Sequence, residues 1–219
     1  MTSGKTLAVL LSLMVPLSAV ASGPEVTPAT ATSVTQALIA SLGQPAPART
    51  AFAEARFMRL LDRPLVVSGE LAWLGGNRLQ RRVEHPHAET ATIADGEVTM
   101  QRAGRQAHSF SLKRAPQLQV LLDSFVALLS GDAARLDQAF EIQRRGDAAQ
   151  WTLVLVPRDA GVAGSVARIE IDGRGKQTRC MRMQEADGDL AVDLLGPLAA
   201  RMPARPTREA LLALCQGGS

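Results

Sequence analysis

The sequence predicts an α+β fold, in which one antiparallel β-sheet is covered by a few helices. Two series of short segments show the alternation of apolar and polar residues that is typical of strands, and short polar turns join them. A stretch with the apolar period of a helix separates the two series. No unit of about 20 to 50 residues recurs, which argues against a solenoid or a propeller. If such a sheet is strongly curved, helices across its open mouth would enclose a cavity.

The first half of the chain is predicted to hold one helix and six strands. Val34, Leu38 and Leu42 share one helical face, and Gly43 and Pro45 end a helix over residues 33–42. Asp95-Gly96 is the strongest hairpin signal of the chain. The strands are expected at residues 49–60, 65–75, 77–83, 87–93, 98–102 and 107–112.

The second half begins with a leucine-rich helix. Its apolar stripe runs over Leu118, Leu121, Leu122, Phe125, Leu128 and Leu129, and Ser130-Gly131 ends it. Asp132 is placed to cap a second short helix over residues 133–140. Four strands are then expected at residues 151–156, 166–171, 178–184 and 190–195, before a last helix at 208–215.

The amino terminus has the pattern of a secretory signal peptide. Lys5 precedes an apolar run over residues 7–20, which ends in the small-x-small sequence Ala19-Val20-Ala21. This run is shorter than the roughly 20 residues that span a bilayer, and residue 22 is serine, so a lipoprotein anchor is not expected there. We therefore expect a cleaved signal peptide at residues 1–21, a disordered lead-in at 22–32, a single domain at 33–219 and a periplasmic location.

Composition limits the classes of partner. The formal net charge is +3, which is too small to indicate a nucleic-acid-binding protein. Aromatic residues make up 3% of the chain and tyrosine is absent, so a large apolar surface must consist of aliphatic side chains. Such a surface suits flexible alkyl ligands better than flat rings.

The only two cysteines are Cys180 and Cys215. In an oxidising compartment a pair of cysteines usually forms a disulfide, and this is the prediction here. Two buried free thiols are the alternative.

Candidate catalytic and metal-binding residues are few. His85-Pro86-His87 lies near Glu84 and Glu89, but only His108 remains to complete a metal shell, so a solvated turn is the preferred interpretation. The chain has no Gly-x-Ser-x-Gly elbow, and its few histidines could hardly activate a cysteine. We expect neither an enzyme nor a metal, and no cofactor.

Several short strings, taken in order, resemble the outer-membrane lipoprotein carrier family, LolA. They are the run 64–71, the segment from Gly69 through His85-Pro86 to Asp95-Gly96, the helical insert 116–140, and the strands around Trp151 and Ile169. This resemblance implies an incomplete, strongly curved antiparallel β-barrel with a helical lid over an apolar cavity. It also implies a monomeric carrier of lipoprotein or related acyl chains, loaded by an inner-membrane exporter and unloaded at an outer-membrane acceptor.

The acyl-binding residues expected from strand parity and from this resemblance form two groups. The cavity wall is assigned to Leu71, Trp73, Leu79, Val83, Leu153, Leu155, Ile169, Ile171, Met181 and Met183. The lid is assigned to Leu118, Leu121, Leu122, Phe125 and Leu128. Parity is ambiguous for the six residues on the later strands.

One departure from the family pattern concerns a polar latch. Carriers of the family have an arginine on the strand after the Gly-Glu-Leu run, where it bonds to the lid, but Gly75 occupies that position here. Arg81 shares the inward parity, and we hypothesise that it supplies a polar handle for the lid or for a headgroup. A bulge that turns Arg81 to solvent is the alternative.

Two other classes of function remain open. A non-transporting sensor or interaction module of the cell envelope would have the same fold with a filled interior. A periplasmic hydrolase would need a nucleophile and a base that the sequence does not offer.

Overall fold

The computed structural model describes residues 28–217, and for residues 28–32, 116 and 117 it describes the backbone only. The helices are α1 (Pro28–Leu42), α2 (Pro116–Ser130), α3 (Ala133–Ala139), α4 (Ala160–Ala163) and α5 (Arg208–Cys215). The strands are β1 (Ala48–Phe57), β2 (Leu65–Gly75), β3 (Arg78–His85), β4 (Glu89–Ala94), β5 (Glu97–Arg102), β6 (His108–Ser111), β7 (Phe140–Gly146), β8 (Trp151–Pro157), β9 (Val166–Arg174), β10 (Gln177–Glu185) and β11 (Leu190–Leu195). Two 3-10 turns lie at Leu112–Arg114 and Gly196–Arg201.

All eleven strands form one antiparallel sheet in the order β6-β5-β4-β3-β2-β1-β11-β10-β9-β8-β7. The sheet is open, and its two ends are β6 and β7. Each series of strands is a meander, and the two series meet where β1 pairs with β11. The helical segment α2–α3 joins the two ends of the sheet. The α+β class and the incomplete antiparallel sheet with helices are therefore confirmed.

The predicted elements agree with the structure except at a few points. Helix α1 begins at Pro28, so the last five residues of the predicted lead-in are helical, and the predicted signal peptide lies outside the described residues. Strand β7 was not predicted, because helix α3 runs directly into it at Phe140 without a turn residue. Helix α4 and the 3-10 turns are too short to show a period.

The sheet is packed on both faces. On one face a cluster around Trp151, Leu153 and Ile171 packs beneath α1, α2 and α3. On the other face Val192, Leu194 and neighbouring side chains pack against α5 and the second 3-10 turn. We call these the inner face and the outer face. The predicted disulfide between Cys180 and Cys215 is present, and it ties α5 to β10 on the outer face.

Helices α1 and α2 touch at their carboxyl ends through two glycines. Gly131 ends α2 in the left-handed region, at φ 74°, and a Cβ there would lie 2.8 Å from the Ala40 carbonyl oxygen. A Cβ on Gly43 would lie 2.9 Å from the Ser130 carbonyl oxygen. The Gln44 N–H donates to the Leu129 carbonyl at 2.9 Å. This contact fixes the carboxyl end of α2, whereas its amino end follows a 3-10 turn.

Candidate functional site

Strand register places the predicted wall residues on the inner face. Leu153 pairs with Ile171, which pairs with Met181. Directly paired residues of an antiparallel sheet point to the same side, so all three share a face. Leu155, Ile169 and Met183 are connected in the same way one step along the strands.

These six residues belong to the cluster under the helices. Leu153, Leu155, Ile169 and Ile171 are buried, and the two methionines pack against them half-buried. The later strands therefore supply a continuous aliphatic surface without a charged side chain among these six positions.

The four predicted residues of the early strands occupy the other half of the same face. Register pairs Trp73 with Leu79, Leu71 with Arg81, and Val83 with Gly69. Trp73 and Val83 are buried, and Leu71 and Leu79 are half-buried. The cluster beneath α2 does not include these four residues. The structure thus brings together the later wall residues and the lid, and it sets the early wall residues apart from them.

Helix α2 covers the later wall with its apolar stripe. Leu121, Phe125 and Leu128 point to the sheet and approach Leu155 and Ile169. Leu118 and Leu122 are half-buried and do not line this contact. Ser124 also faces inward and is 5% exposed, and its hydroxyl donates to the Val120 carbonyl at 2.6 Å. The polar atom of Ser124 is therefore satisfied within the helix.

The space between α2 and the sheet is nearly filled. Only about 10 Å³ remains there, lined by Leu121, Ser124, Phe125, Leu128, Leu136, Phe140, Leu155, Ile169 and Ile171. A single water needs about that volume, so an alkyl chain fits only if α2 moves away from the sheet. The expected open cavity is therefore shut in this conformation. A wider groove of about 170 Å³ lies on the outer face beside α5, where both charged and apolar side chains line it.

A charged cluster interrupts the inner face where the two strand series meet. The Arg81 guanidinium donates to the Glu54 carboxylate at 2.8 Å and lies 4.7 Å from the centre of the Phe52 ring. Glu54 pairs in register with Asp193, which is 6% exposed. Burial and, to a smaller extent, the Glu54 charge raise the pKa of Asp193 to about 8, against the opposing effect of Arg81 and Arg56.

Sequence comparison now identifies the family. The family model described as "Outer membrane lipoprotein carrier protein LolA-like" matches residues 26–218. The chain belongs to this LolA-like family. No curated protein is similar enough in sequence to count as a match.

Solved structures with related architecture are distant in sequence. A LolA superfamily protein from Nitrosomonas europaea is 10% identical, with a TM-score of 0.40 over 76% of this chain and 91% of that one. LprF from Mycobacterium bovis is 13% identical, with a TM-score of 0.34 over 80% and 97%. The MucA/MucB complex from Pseudomonas aeruginosa is 11% identical, with a TM-score of 0.37 over 83% and 60%. Membership of the LolA-like family therefore rests on the sequence match rather than on these structures.

The position of the expected LolA latch is a backbone turn in this chain. Gly75 has φ 95°, a left-handed conformation that favours glycine, and a register shift lies between Trp73 and Gly75. An arginine there would be strained. Arg81 lies on the inner face, as parity predicted, but its bonds run to Glu54 and Phe52 of the sheet rather than to α2.

Several residues of the site were missed by sequence reasoning. Ile39, Leu42, Leu136, Phe140 and Val162 are all buried in the cluster beneath the helices. Ile39 falls one position after Leu38, which the helical pattern selected instead. Phe140 was assigned to the end of α3, although its alternation with Ile142 would have indicated a strand.

The candidate metal-binding residues lie at or beside two turns of the structure. His85, Pro86 and His87 are exposed. Glu185, Asp187 and Asp189 bring carboxylate oxygens within 4.8 Å of one another. Asp189 accepts the Arg59 N–H at 2.9 Å, and Glu185 is paired with Arg56. These acids are engaged in joining β1 to the turn between β10 and β11.

Across residues 28–217, no helix is both long enough and apolar enough to cross a membrane.

Proposed function

We propose that this LolA-like protein is a periplasmic carrier, which binds the acyl chains of lipoproteins or related lipids between α2 and the inner face and carries them toward the outer membrane. The observation that supports it is the aliphatic surface of β8–β10 beneath the leucine-rich helix α2. The proposed carrier makes or breaks no covalent bond. An inner-membrane exporter and an outer-membrane acceptor are the partners we propose.

The energy of transfer is sufficient for such a carrier. Each CH₂ removed from water contributes about 0.8 kcal/mol, so a chain of about 15 methylenes gains on the order of 12 kcal/mol before costs. Opening α2 separates Leu121, Phe125 and Leu128 from the sheet, and each such side chain costs about 1.5–3 kcal/mol to expose. The remainder allows binding that is favourable and reversible.

Arg81 is the polar group we assign to this site. Its side chain is 34% exposed, so a ligand could reach it although Glu54 and the Phe52 ring already contact the guanidinium. An acyl cargo with an anionic or carbonyl headgroup would place that group near Arg81 and its tail on the aliphatic wall.

Uptake of an environment-sensitive fluorescent fatty acid tests the proposal. The wild-type protein is expected to bind it, and unlabelled palmitate is expected to compete. Phe125→Glu places a charge between α2 and the wall and should abolish uptake. Val156→Glu is the matched control, because Val156 is 38% exposed and outside this contact. Thermal unfolding of both variants establishes that they are folded.

The closed interior favours a second candidate, a non-transporting module of the cell envelope. In that case about 10 Å³ under α2 would be the working state, and no acyl chain would enter. The test is uptake of the fatty acid by folded wild-type protein, measured with and without an acylated peptide present. If no uptake is seen in either case, this candidate is supported and the carrier function is rejected.

A further inference from the structure

The loop between β1 and β2, residues 58–64, and the first residue of β2 carry the most exposed large apolar side chains among the described residues. Leu60 is 92% exposed, Leu61 is 43% exposed, and Leu65 at the start of β2 is 52% exposed. Isolated exposed leucines are ordinary, but three within six positions of one turn form a patch.

This exposure is built into the fold, because the loop is held at its base. The Leu61 N–H donates to the Met58 carbonyl at 3.1 Å and closes a turn with Leu60 at its tip. The Arg59 N–H donates to the Asp189 carboxylate at 2.9 Å, and its guanidinium donates to the Asp187 carbonyl at 2.6 Å. Asp189 is 8% exposed, so the anchor itself is buried. The leucines therefore cannot fold back onto the sheet without breaking these bonds.

One arginine beside the leucines suits a lipid surface. Asp62 and Arg63 follow the leucine pair and both are exposed, whereas the Arg59 guanidinium is held by the Asp187 carbonyl. Arg63 forms no ion pair among residues 28–217. Arginine side chains beside an apolar tip can extend to lipid phosphates while the tip enters the acyl boundary.

The size and shape of the patch favour a bilayer over a protein. A stable protein interface buries about 800 Å² on each partner, and it needs a surface that matches it. Three leucines on one convex turn offer much less area than that. A fluid bilayer needs no matching surface, and shallow insertion of a few apolar side chains gives reversible binding.

We propose that the loop 58–65 is a membrane-contact element, which inserts Leu60 and Leu61 into the outer boundary of a bilayer with Arg63 at the phosphates. This extends the proposed carrier function, because a carrier must bring its cargo to a membrane. It does not depend on acyl binding, since the contact is made by cargo-free protein.

Flotation of lipid-free protein with vesicles of phosphatidylethanolamine and phosphatidylglycerol tests the proposal. The wild-type protein is expected to float with the vesicles. Leu60→Ser is expected to lower the partition coefficient about 10- to 100-fold, since burial of one leucine is lost. Leu212→Ser is the control, because Leu212 is 36% exposed on α5 and should leave partitioning unchanged. Arg63→Gln should weaken binding to vesicles with phosphatidylglycerol more than to neutral vesicles, in which phosphatidylcholine replaces phosphatidylglycerol.

Two results would overturn this inference: wild-type protein that does not float with either vesicle, or a Leu60→Ser variant that floats as well as the wild type. Because the assay contains no cargo, its failure leaves fatty acid uptake as an independent test of the carrier function. A loss of binding to an envelope protein, with vesicle partitioning unchanged, would assign the loop to a protein partner instead.

Discussion

Asp193 gives the protein an unusual dependence of stability on pH. This carboxyl group lies in the centre of the sheet beside Glu54, and burial raises its pKa to about 8 from an ordinary value of 3.8. At neutral pH the folded protein therefore holds a proton on Asp193, which the unfolded chain has released. The free energy of unfolding must then fall as the pH rises from about 4 to about 8, because folding requires proton uptake in this range.

The size of the effect follows from the pKa difference. A difference of one in pKa corresponds to about 1.36 kcal/mol. The raised pKa of Asp193 therefore lowers the free energy of unfolding at pH 7 by on the order of 4 kcal/mol. Asp193→Asn replaces the acid by a neutral side chain of similar shape and removes this penalty. The variant is expected to match the wild type near pH 4 and to exceed it increasingly toward pH 8.

Urea unfolding at several pH values between 4 and 8 measures this difference. Asp172→Asn is the control, because Asp172 is 3% exposed but is held by Arg182 at 3.0 Å on the outer face. Asp172→Asn removes the carboxylate that pairs with Arg182, and it should destabilise the protein at pH 7. An Asp193→Asn variant that is less stable than the wild type at pH 7, or whose advantage does not change with pH, would refute the reasoning.

Two further predictions concern the stability of the disulfide-linked helix α5 and of the contact between α1 and α2. Cys215→Ser removes the disulfide, whose two cysteines are 35 residues apart, and should lower the free energy of unfolding by about 4 kcal/mol. A reductant should lower it similarly in the wild type and have no such effect on the variant. Gly131→Ala should lower the melting temperature more than Gly104→Ala, because both glycines have positive φ but only Gly131 has a backbone atom within 3.0 Å of the added Cβ. Equal melting temperatures for the two glycine variants would show that the close contact of α1 with α2 at Gly131 does not contribute to stability.

The fold was largely predictable because its signals are local. The Asp95-Gly96 turn and the stripe of α2 each define an element within a few residues, and parity then places Leu71 and Arg81 on the inner face. Strand β7 escaped prediction because it follows α3 without a break.

The state of the site could not be predicted in the same way. Whether Phe125 and Leu128 enclose a cavity or fill it depends on how closely two surfaces approach, and no sequence pattern records that distance. The partner of Arg81 is Glu54, which is 27 residues away, so the ion pair follows from strand order rather than from a motif. Sequence reasoning therefore identified the surfaces but not the closed conformation.

Mass spectrometry of lipid extracted from protein purified out of its native cells is the most direct test of acyl binding beneath α2. The account predicts that acylated lipid accompanies the wild-type protein and the Val156→Glu control, and that it is lost from Phe125→Glu. Wild-type protein that carries no lipid, or a Phe125→Glu variant that carries as much as the wild type, would contradict it.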